Sequence, residues 1–175
     1  GKTTFLRCLA GIRAPDAGQV RIFGRPPAAP RLRGRVGFLY QNPPRQLFEN
    51  TVQDEVAFPL RRLARGERVP QDAAADALEL CGIAELAGQS PHRLSYGQKH
   101  LVALASVLAT RPELLLLDDP FAGLDGPRRE GVLRLMADVA GQNGTAVIWT
   151  THHPMWLSDW AQRTLVVEEG AIVPI

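Results

Sequence analysis

The chain has 175 residues, of which 45% are hydrophobic and 22% are charged, a balance typical of one globular domain with its own core. Its 20 basic and 18 acidic residues leave a net charge of +2, which argues against nucleic acid as a partner. No apolar run approaches the roughly 18 residues that cross a bilayer, so we expect any link to a membrane to pass through another subunit.

Predicted helices and strands alternate along the chain. Helical spacing of apolar residues and acidic first turns indicate helices, while short apolar runs between turn residues indicate strands. In chain order the elements are a helix after Thr4 reaching Ile12, a strand over 19–24, a strand over 36–40, a helix from Thr51, helices over 71–81 and 94–109, a strand over 113–117, a helix over 128–139, a strand over 145–150, a helix near Trp156 and a strand pair over 164–173.

Two of these strands, over 113–117 and 145–150, are apolar enough to be buried on both faces of a parallel sheet. The alternation of strands and helices therefore predicts an α/β fold in layers. We expect one domain over 1–175, with α-helices over about 50–110 inserted between two strands. Cys8 and Cys81 lack metal-ligand spacing, which favours buried reduced thiols, as in the cytosol, over a disulfide.

The first four residues, Gly1, Lys2, Thr3 and Thr4, match the end of a phosphate-binding loop, G-x-x-x-x-G-K-[ST]. We expect the first half of this motif to lie upstream in a longer parent protein. The lysine and the N–H groups at a helix start together stabilise phosphate charge. Thr3 then offers a hydroxyl to Mg²⁺, and Thr4 contacts phosphate. An isolated lysine would instead be an ordinary surface charge.

Two acidic residues, Asp118 and Asp119, follow a run of four leucines. Ligands of open α/β sheets bind at the carboxyl ends of the strands. Asp118 is therefore a candidate Mg²⁺ ligand, and Asp119 is a candidate for orienting or deprotonating an attacking water. The alternative is a strand-ending aspartate that only caps a turn with Pro120.

Four further stretches occur in a telling order: Gln41 after a strand, Leu94-Ser95-Tyr96-Gly97-Gln98, Ala122-Gly123-Leu124-Asp125, and Thr150-Thr151-His152. They resemble the Q-loop, the LSGGQ signature, the D-loop and the switch histidine of the ATP-binding subunits of ATP-binding cassette (ABC) transporters. The resemblance covers about residues 1–152. It implies a P-loop NTPase-type ABC ATPase core, with a parallel sheet and an α-helical subdomain.

The resemblance also implies cofactors and roles. ATP and Mg²⁺ would bind, Gln41 would contact Mg²⁺ and water, and His152 would sense the γ-phosphate. The signature residues Ser95, Tyr96, Gly97 and Gln98, together with Asp125, would meet the nucleotide bound by a second ATPase subunit, identical or related. Ser95 as a plain helix N-cap and His152 as a structural residue remain the alternatives.

The string QNPPRQLFENTVQDEVAF is similar to the Q-loop region of energy-coupling-factor and cobalt-type importer ATPases. This similarity implies a peripheral subunit at the cytoplasmic face of the cell membrane. It would power import of a vitamin or transition-metal ion through a membrane coupling protein and a substrate-capture protein. Residues 42–58 would then contact the coupling protein; the alternative is that Leu47, Phe48 and Phe58 are ordinary core residues.

Two positions depart from the family pattern. Asp119 stands where glutamate is usual, and Tyr96 replaces a signature glycine. The shorter side chain retracts the carboxylate by roughly 1.5 Å, and a misplacement of about 1 Å can lower a rate about a hundredfold. We therefore expect slow hydrolysis. The alternative function is a degenerate, regulatory ABC module in an asymmetric ATPase pair. His92 and His100 are expected at the surface, and His153 has no assigned role.

Overall fold

The computed structural model describes residues 1–63, 69–152, 159–169 and 171–174. Its helices are α1 (Lys2–Leu9), α2 (Val52–Leu63), α3 (Pro70–Leu80), α4 (Tyr96–Leu108) and α5 (Gly126–Asn143), and its strands are β1 (Val36–Leu39), β2 (Leu114–Asp118), β3 (Ala146–Thr150), β4 (Leu165–Glu168) and β5 (Ala171–Pro174). Short 3₁₀ turns lie at Pro30–Leu32, Pro43–Gln46, Ala84–Leu86 and Pro91–Arg93. No helix among the described residues is long and apolar enough to cross a bilayer.

The central sheet is parallel and has the strand order β1-β2-β3. Strand β2 is buried along its whole length, as its leucine run predicts. Leu115 and Leu117 belong to a large cluster shared with α2 to α5, whereas Leu114 and Leu116 pack with Leu6 of α1. Successive side chains of a strand point to opposite faces, so helices cover both faces of β2. The predicted α/β fold with a parallel sheet is confirmed.

Strand β3 is less buried than the sequence predicts. Val147 and Trp149 pack against the large cluster, but Ala146 is exposed and Ile148 keeps 37% of its surface exposed. The physical reason is that β3 is an outer strand of the described sheet, and its second face lies outside both apolar clusters. The predicted burial on both faces is therefore wrong here.

The strand predicted over 19–24 is also wrong. The structure has one isolated antiparallel bridge between Ile22 and Arg25, because the chain reverses at Phe23 and Gly24, whose φ angles are +49° and +74°. Ile22 is buried in the smaller cluster instead of pairing in a sheet. The strand pair at the carboxyl end is confirmed as the antiparallel hairpin of β4 and β5.

Helix α1 ends at Leu9, before the predicted limit at Ile12. Gly11 has φ +71°, and the N–H groups of Gly11 and Ile12 donate to the carbonyls of Cys8 and Arg7. This pattern is a Schellman cap, for which glycine is preferred because it adopts left-handed φ without a Cβ clash. The helix near Trp156 and the position of His153 lie outside the described residues.

Helices α2, α3 and α4 stand between β1 and β2 in the chain and pack on one another. Their status as a separate subdomain stays a prediction. Neither cysteine forms a disulfide; Cys8 is partly exposed, whereas burial raises the pKa of the Cys81 thiol to about 12. His92 is exposed as predicted, but His100 is only 1% exposed, so the prediction of a surface position for His100 is wrong. His100 faces inward because the apolar side of α4 packs into the large cluster.

Candidate functional site

A cleft of about 150 Å³ opens where the carboxyl ends of β1, β2 and β3 meet the start of α1. It is the place where open α/β sheets bind ligands. Eight residues predicted from the sequence line it together with Thr150: Gly1, Lys2, Thr3, Thr4, Gln41, Asp118, Asp119 and His152. The fold therefore brings together motifs that are more than a hundred residues apart in the chain.

The start of α1 forms one wall of the cleft. Gly1 is the N-cap and offers no side chain to the first turn, which contains Lys2 and no acidic residue. The first N–H groups of a helix lack intrahelical partners, and the helix dipole adds positive potential at that end. This wall is therefore suited to a phosphate group.

Asp118 lines the cleft beside the start of α1, at the last position of β2. It is 3% exposed, and its Oδ1 accepts hydrogen bonds from the Thr3 hydroxyl at 3.0 Å and the Thr150 hydroxyl at 2.8 Å. These bonds tie α1, β2 and β3 together. Hydroxyl and carboxylate oxygens are hard ligands that suit Mg²⁺.

The oxygen donors of Thr3 and Asp118 fit Mg²⁺ bound with a nucleotide. Among the described residues, no three histidine, cysteine or acidic side chains lie close enough to hold a metal by themselves. Mg²⁺ is commonly held by one or two protein oxygens, with phosphate and water completing its octahedron. Thr3 and Asp118 match that smaller protein contribution.

Asp119 lies next to Asp118 but in a different backbone conformation. Its φ is +49°, and its N–H donates to the Thr150 hydroxyl at 3.1 Å. Its carbonyl accepts from the N–H of Ala122 at 3.2 Å, so the residue does begin a turn with Pro120. Asp119 is also partly exposed in the cleft. Asp119 therefore belongs both to the turn and to the cleft.

Gln41 and His152 close the cleft from two neighbouring loops. Gln41 lies two residues after the end of β1, and His152 lies two residues after the end of β3. Both side chains are exposed and line the cleft. The parallel sheet explains why the two loops meet at one edge.

The signature residues do not line this cleft. Ser95 is the N-cap of α4: its hydroxyl accepts from the Gln98 N–H at 3.3 Å, while the Gln98 Oε1 accepts from the Ser95 N–H at 3.0 Å. Ser95 therefore does serve as a helix N-cap, in a capping box, which was its structural alternative. A hydroxyl that accepts here keeps its own hydrogen for an anion.

The signature and the D-loop pack on each other. A Cβ on Gly123 would lie 2.9 Å from the Tyr96 ring, and the Tyr96 hydroxyl is 3.5 Å from the Ala122 carbonyl. Asp125 caps α5 by accepting from the Arg128 N–H at 3.0 Å and pairs with its guanidinium. We call residues 95–98 and 122–125 the signature surface. The predicted site residues thus occupy two places, the cleft and this surface.

No sequence motif assigns Thr150 a role of its own. It stands directly opposite Asp118 in the parallel register of β2 and β3. Because of this register, the Thr150 hydroxyl reaches both acidic residues. The sequence shows neither the pairing of the two strands nor their alignment.

Comparison with known proteins decides the family, because a model described as "ABC transporter" matches residues 1–122. The chain belongs to the ABC transporter family. It has the fold of an ABC-type ATPase core, and the family predicted from its motifs is confirmed.

Two curated proteins and one solved structure serve as examples of what the chain is similar to. It is 34% identical to the energy-coupling factor transporter ATP-binding protein EcfA of Methanothermobacter thermautotrophicus, over 99% of this chain and 57% of that protein. It is 40% identical to the nickel import ATP-binding protein NikO of Rhodobacter capsulatus, over 98% of this chain and 72% of that protein. The structure of cbiO1 from Clostridium perfringens, part of an ABC transporter complex, aligns with a TM-score of 0.87 and 30% identity, over 99% of this chain and 71% of that one. The chain thus spans between about half and three quarters of these relatives.

Proposed function

We propose that the protein binds ATP with Mg²⁺ in the cleft and hydrolyses it to power transport. The observation that supports this most strongly is the hydrogen-bonded joining of Thr3 and Asp118 beside the start of α1. In this proposal the positive helix end binds phosphate, and the adjoining oxygens of Thr3 and Asp118 bind the metal. Both are needed to hold a triphosphate.

Each of the eight cleft residues predicted from the sequence has a role in this proposal. Lys2 and the N–H groups of Gly1 and Thr4 bind phosphate oxygens. Thr3 and Asp118 hold Mg²⁺, which neutralises charge on the transferred phosphoryl group. Asp119 orients the attacking water, Gln41 contacts Mg²⁺ and that water, and His152 contacts the γ-phosphate.

A second ATPase subunit completes the site in this proposal. The signature surface lies outside the cleft, yet it presents the start of α4, where Ser95 keeps a hydrogen to donate to an anion. Binding of that surface to the nucleotide in another subunit's cleft would make ATP part of the dimer interface. The second subunit is a copy of this chain or a related one.

A membrane coupling protein is the proposed partner of the segment over 42–58. Phe48 is 58% exposed and stacks edge-to-face on Phe58, with ring centroids 4.8 Å apart. The buried carboxylate of Glu55 accepts from the N–H groups of Phe48 and Glu49 at 2.8 and 2.7 Å, which fixes the loop that carries Phe48. An aromatic side chain held outward in this way suits a protein contact.

Two relatives support the transport system in finer detail, since one carries the name energy-coupling factor transporter and the other the name nickel import. We propose that the protein works on the cytoplasmic face of the membrane. It would serve a substrate-capture protein for a vitamin or a transition-metal ion.

Steady-state ATP hydrolysis by the full-length protein, alone and with its membrane partners, tests the proposal. Asp118→Asn should lower turnover about a hundredfold because it removes the charge beside Mg²⁺. Asp138→Asn, an exposed position on α5, is the matched control and should leave turnover unchanged. Asp119→Glu should speed turnover about tenfold or more, because it returns the carboxylate to the reach that the family uses.

Each outcome of this measurement decides something. Turnover that does not rise with Asp119→Glu contradicts the explanation of slow hydrolysis. Nucleotide binding without turnover in every combination supports the degenerate, regulatory module instead of a transport motor.

A further inference from the structure

One hydroxyl joins the two acidic residues of the cleft. The Thr150 Oγ1 donates to Asp118 Oδ1 at 2.8 Å and accepts from the Asp119 N–H at 3.1 Å. A threonine hydroxyl has one hydrogen to donate and lone pairs to accept with, so both contacts form at once. Asp118 and Asp119 are therefore fixed to the same atom of β3.

The contact with Asp119 satisfies a backbone group that has left the sheet. Strand β2 ends at Asp118, and Asp119 takes φ +49°, a conformation outside the strand region. A partly buried N–H without a partner is unfavourable. The Thr150 side chain replaces the ladder bond that the strand can no longer supply.

The contact with Asp118 orients its carboxylate. Thr3 and Thr150 both donate to Oδ1, which leaves Oδ2 without a donor among the described residues. Partners of a metal-binding carboxylate set its orientation and tune the affinity for the metal. Thr150 does this from the strand next to the one that carries Asp118.

We propose that Thr150 is a positioning residue for ATP hydrolysis, whose hydroxyl holds the Asp118 carboxylate and the Asp119 backbone in fixed relation. The inference rests on the proposed function of the cleft. Its consequence is that the metal ligand and the backbone that carries the water-orienting carboxylate keep one spacing throughout turnover. Loss of the hydroxyl should therefore affect both Mg²⁺ binding and the chemical step.

Two variants of the full-length protein separate the hydroxyl from the shape of the side chain. Thr150→Val removes the hydroxyl at nearly constant volume, and Thr150→Ser keeps it. Thr150→Val should lower kcat about tenfold, the rate equivalent of one hydrogen bond, with the KM for ATP within about threefold of the wild type. Thr150→Ser should restore most of kcat. If Thr150→Val does not fold, Thr150→Ala removes the same hydroxyl and takes its place.

Equilibrium binding of a fluorescent ATP analogue, titrated with Mg²⁺, provides a readout without turnover. Thr150→Val should raise the Mg²⁺ concentration for half-maximal binding about tenfold, as changes beside metal ligands commonly do. Thr145→Val is the matched control, because the Thr145 hydroxyl bonds to the Pro112 carbonyl at the opposite end of β3, at 2.9 Å. It should lower the melting temperature while leaving the Mg²⁺ dependence unchanged.

The outcomes distinguish this inference from the proposed function. Mg²⁺-independent ATP binding by the wild type would contradict the proposed function itself. A wild type that needs Mg²⁺, together with a Thr150→Val variant that matches it in kcat and Mg²⁺ dependence, would overturn only the role of Thr150. Equal losses in Thr150→Ser and Thr150→Val would show that packing matters and the hydroxyl does not, which also overturns the inference.

Discussion

At the scale of single residues, His100 shows how burial changes chemistry. Its side chain is 1% exposed on α4, and neither ring nitrogen has a hydrogen-bond partner among the described residues. Burial lowers the pKa of His100 to about 4, below its ordinary value of 6.5, because the charged imidazolium is poorly solvated there. The histidine is thus neutral in the folded protein across the physiological range.

His100 should make the protein less stable in mild acid. Between pH 6.5 and 4 the unfolded chain takes up a proton at this residue while the folded chain does not, so stability falls as the pH falls through this window. His100→Leu removes that proton uptake. The difference in the free energy of unfolding, His100→Leu minus wild type, should therefore be about 2 kcal/mol larger at pH 5 than at pH 7.5.

Urea denaturation of both proteins at these two pH values measures the difference. His92→Leu, which removes a histidine from an exposed position, is the control. A His100→Leu gain that is the same at both pH values would contradict a neutral, buried imidazole.

The site residues differ in how far the sequence could predict them. Lys2, Thr3, Asp118 and Asp119 were found because each stands at a fixed place in a contiguous motif that carries its own chemistry. The Thr150 hydroxyl depends on which residue of β3 lies opposite Asp118, and a motif does not contain that register. A site made by strand pairing is therefore only partly predictable from one chain.

At the scale of elements, β2 was predictable and the segment over 19–24 was not. Four leucines bounded by prolines carry enough apolar area to define a buried strand by themselves. The alternation around Ile22 is equally consistent with a strand, but a strand needs a partner along its length. The tight turn at Phe23 leaves room for one bridge only.

The contact between β1 and α4 requires a residue without a side chain at Gly37. An added Cβ would lie 2.6 Å from Val107, closer than real Cβ atoms come, and at a tight 3.2 Å from the Pro112 ring. Gly37→Ala should therefore lower the free energy of unfolding by about 1–3 kcal/mol, the usual effect of overpacking. The urea midpoint of the full-length protein measures this.

Gly131→Ala is the matched control for Gly37→Ala. Gly131 is exposed inside α5, and a Cβ there would meet nothing within 4 Å. The same substitution should raise the free energy of unfolding by about 0.5–1 kcal/mol, because alanine favours the helix over glycine. Equal effects at the two glycines would show that the β1–α4 contact is not tight.

At the scale of the whole molecule, the signature residues do not line the cleft of their own chain, so a second subunit is needed if they contact the same nucleotide as the cleft residues. This arrangement predicts complementation between two inactive variants. Lys2→Ala disables the cleft, and Ser95→Arg disables the signature surface. A mixed dimer of the two has one site with both changes and one site with neither.

Mixing equal amounts of full-length Lys2→Ala and Ser95→Arg should therefore restore ATP hydrolysis to about a quarter of the wild-type rate. Random pairing makes about half of the dimers mixed, and each mixed dimer has one intact site of two. The control mixture is Lys2→Ala with Asp118→Asn. Both changes then lie in clefts, every site of a mixed dimer carries one of them, and activity should stay at the level of the single variants. If activity recovers in the first mixture but not in the control mixture, each site is shared between two copies of this chain. Equal rates in the two mixtures would contradict a nucleotide held between two copies of this chain.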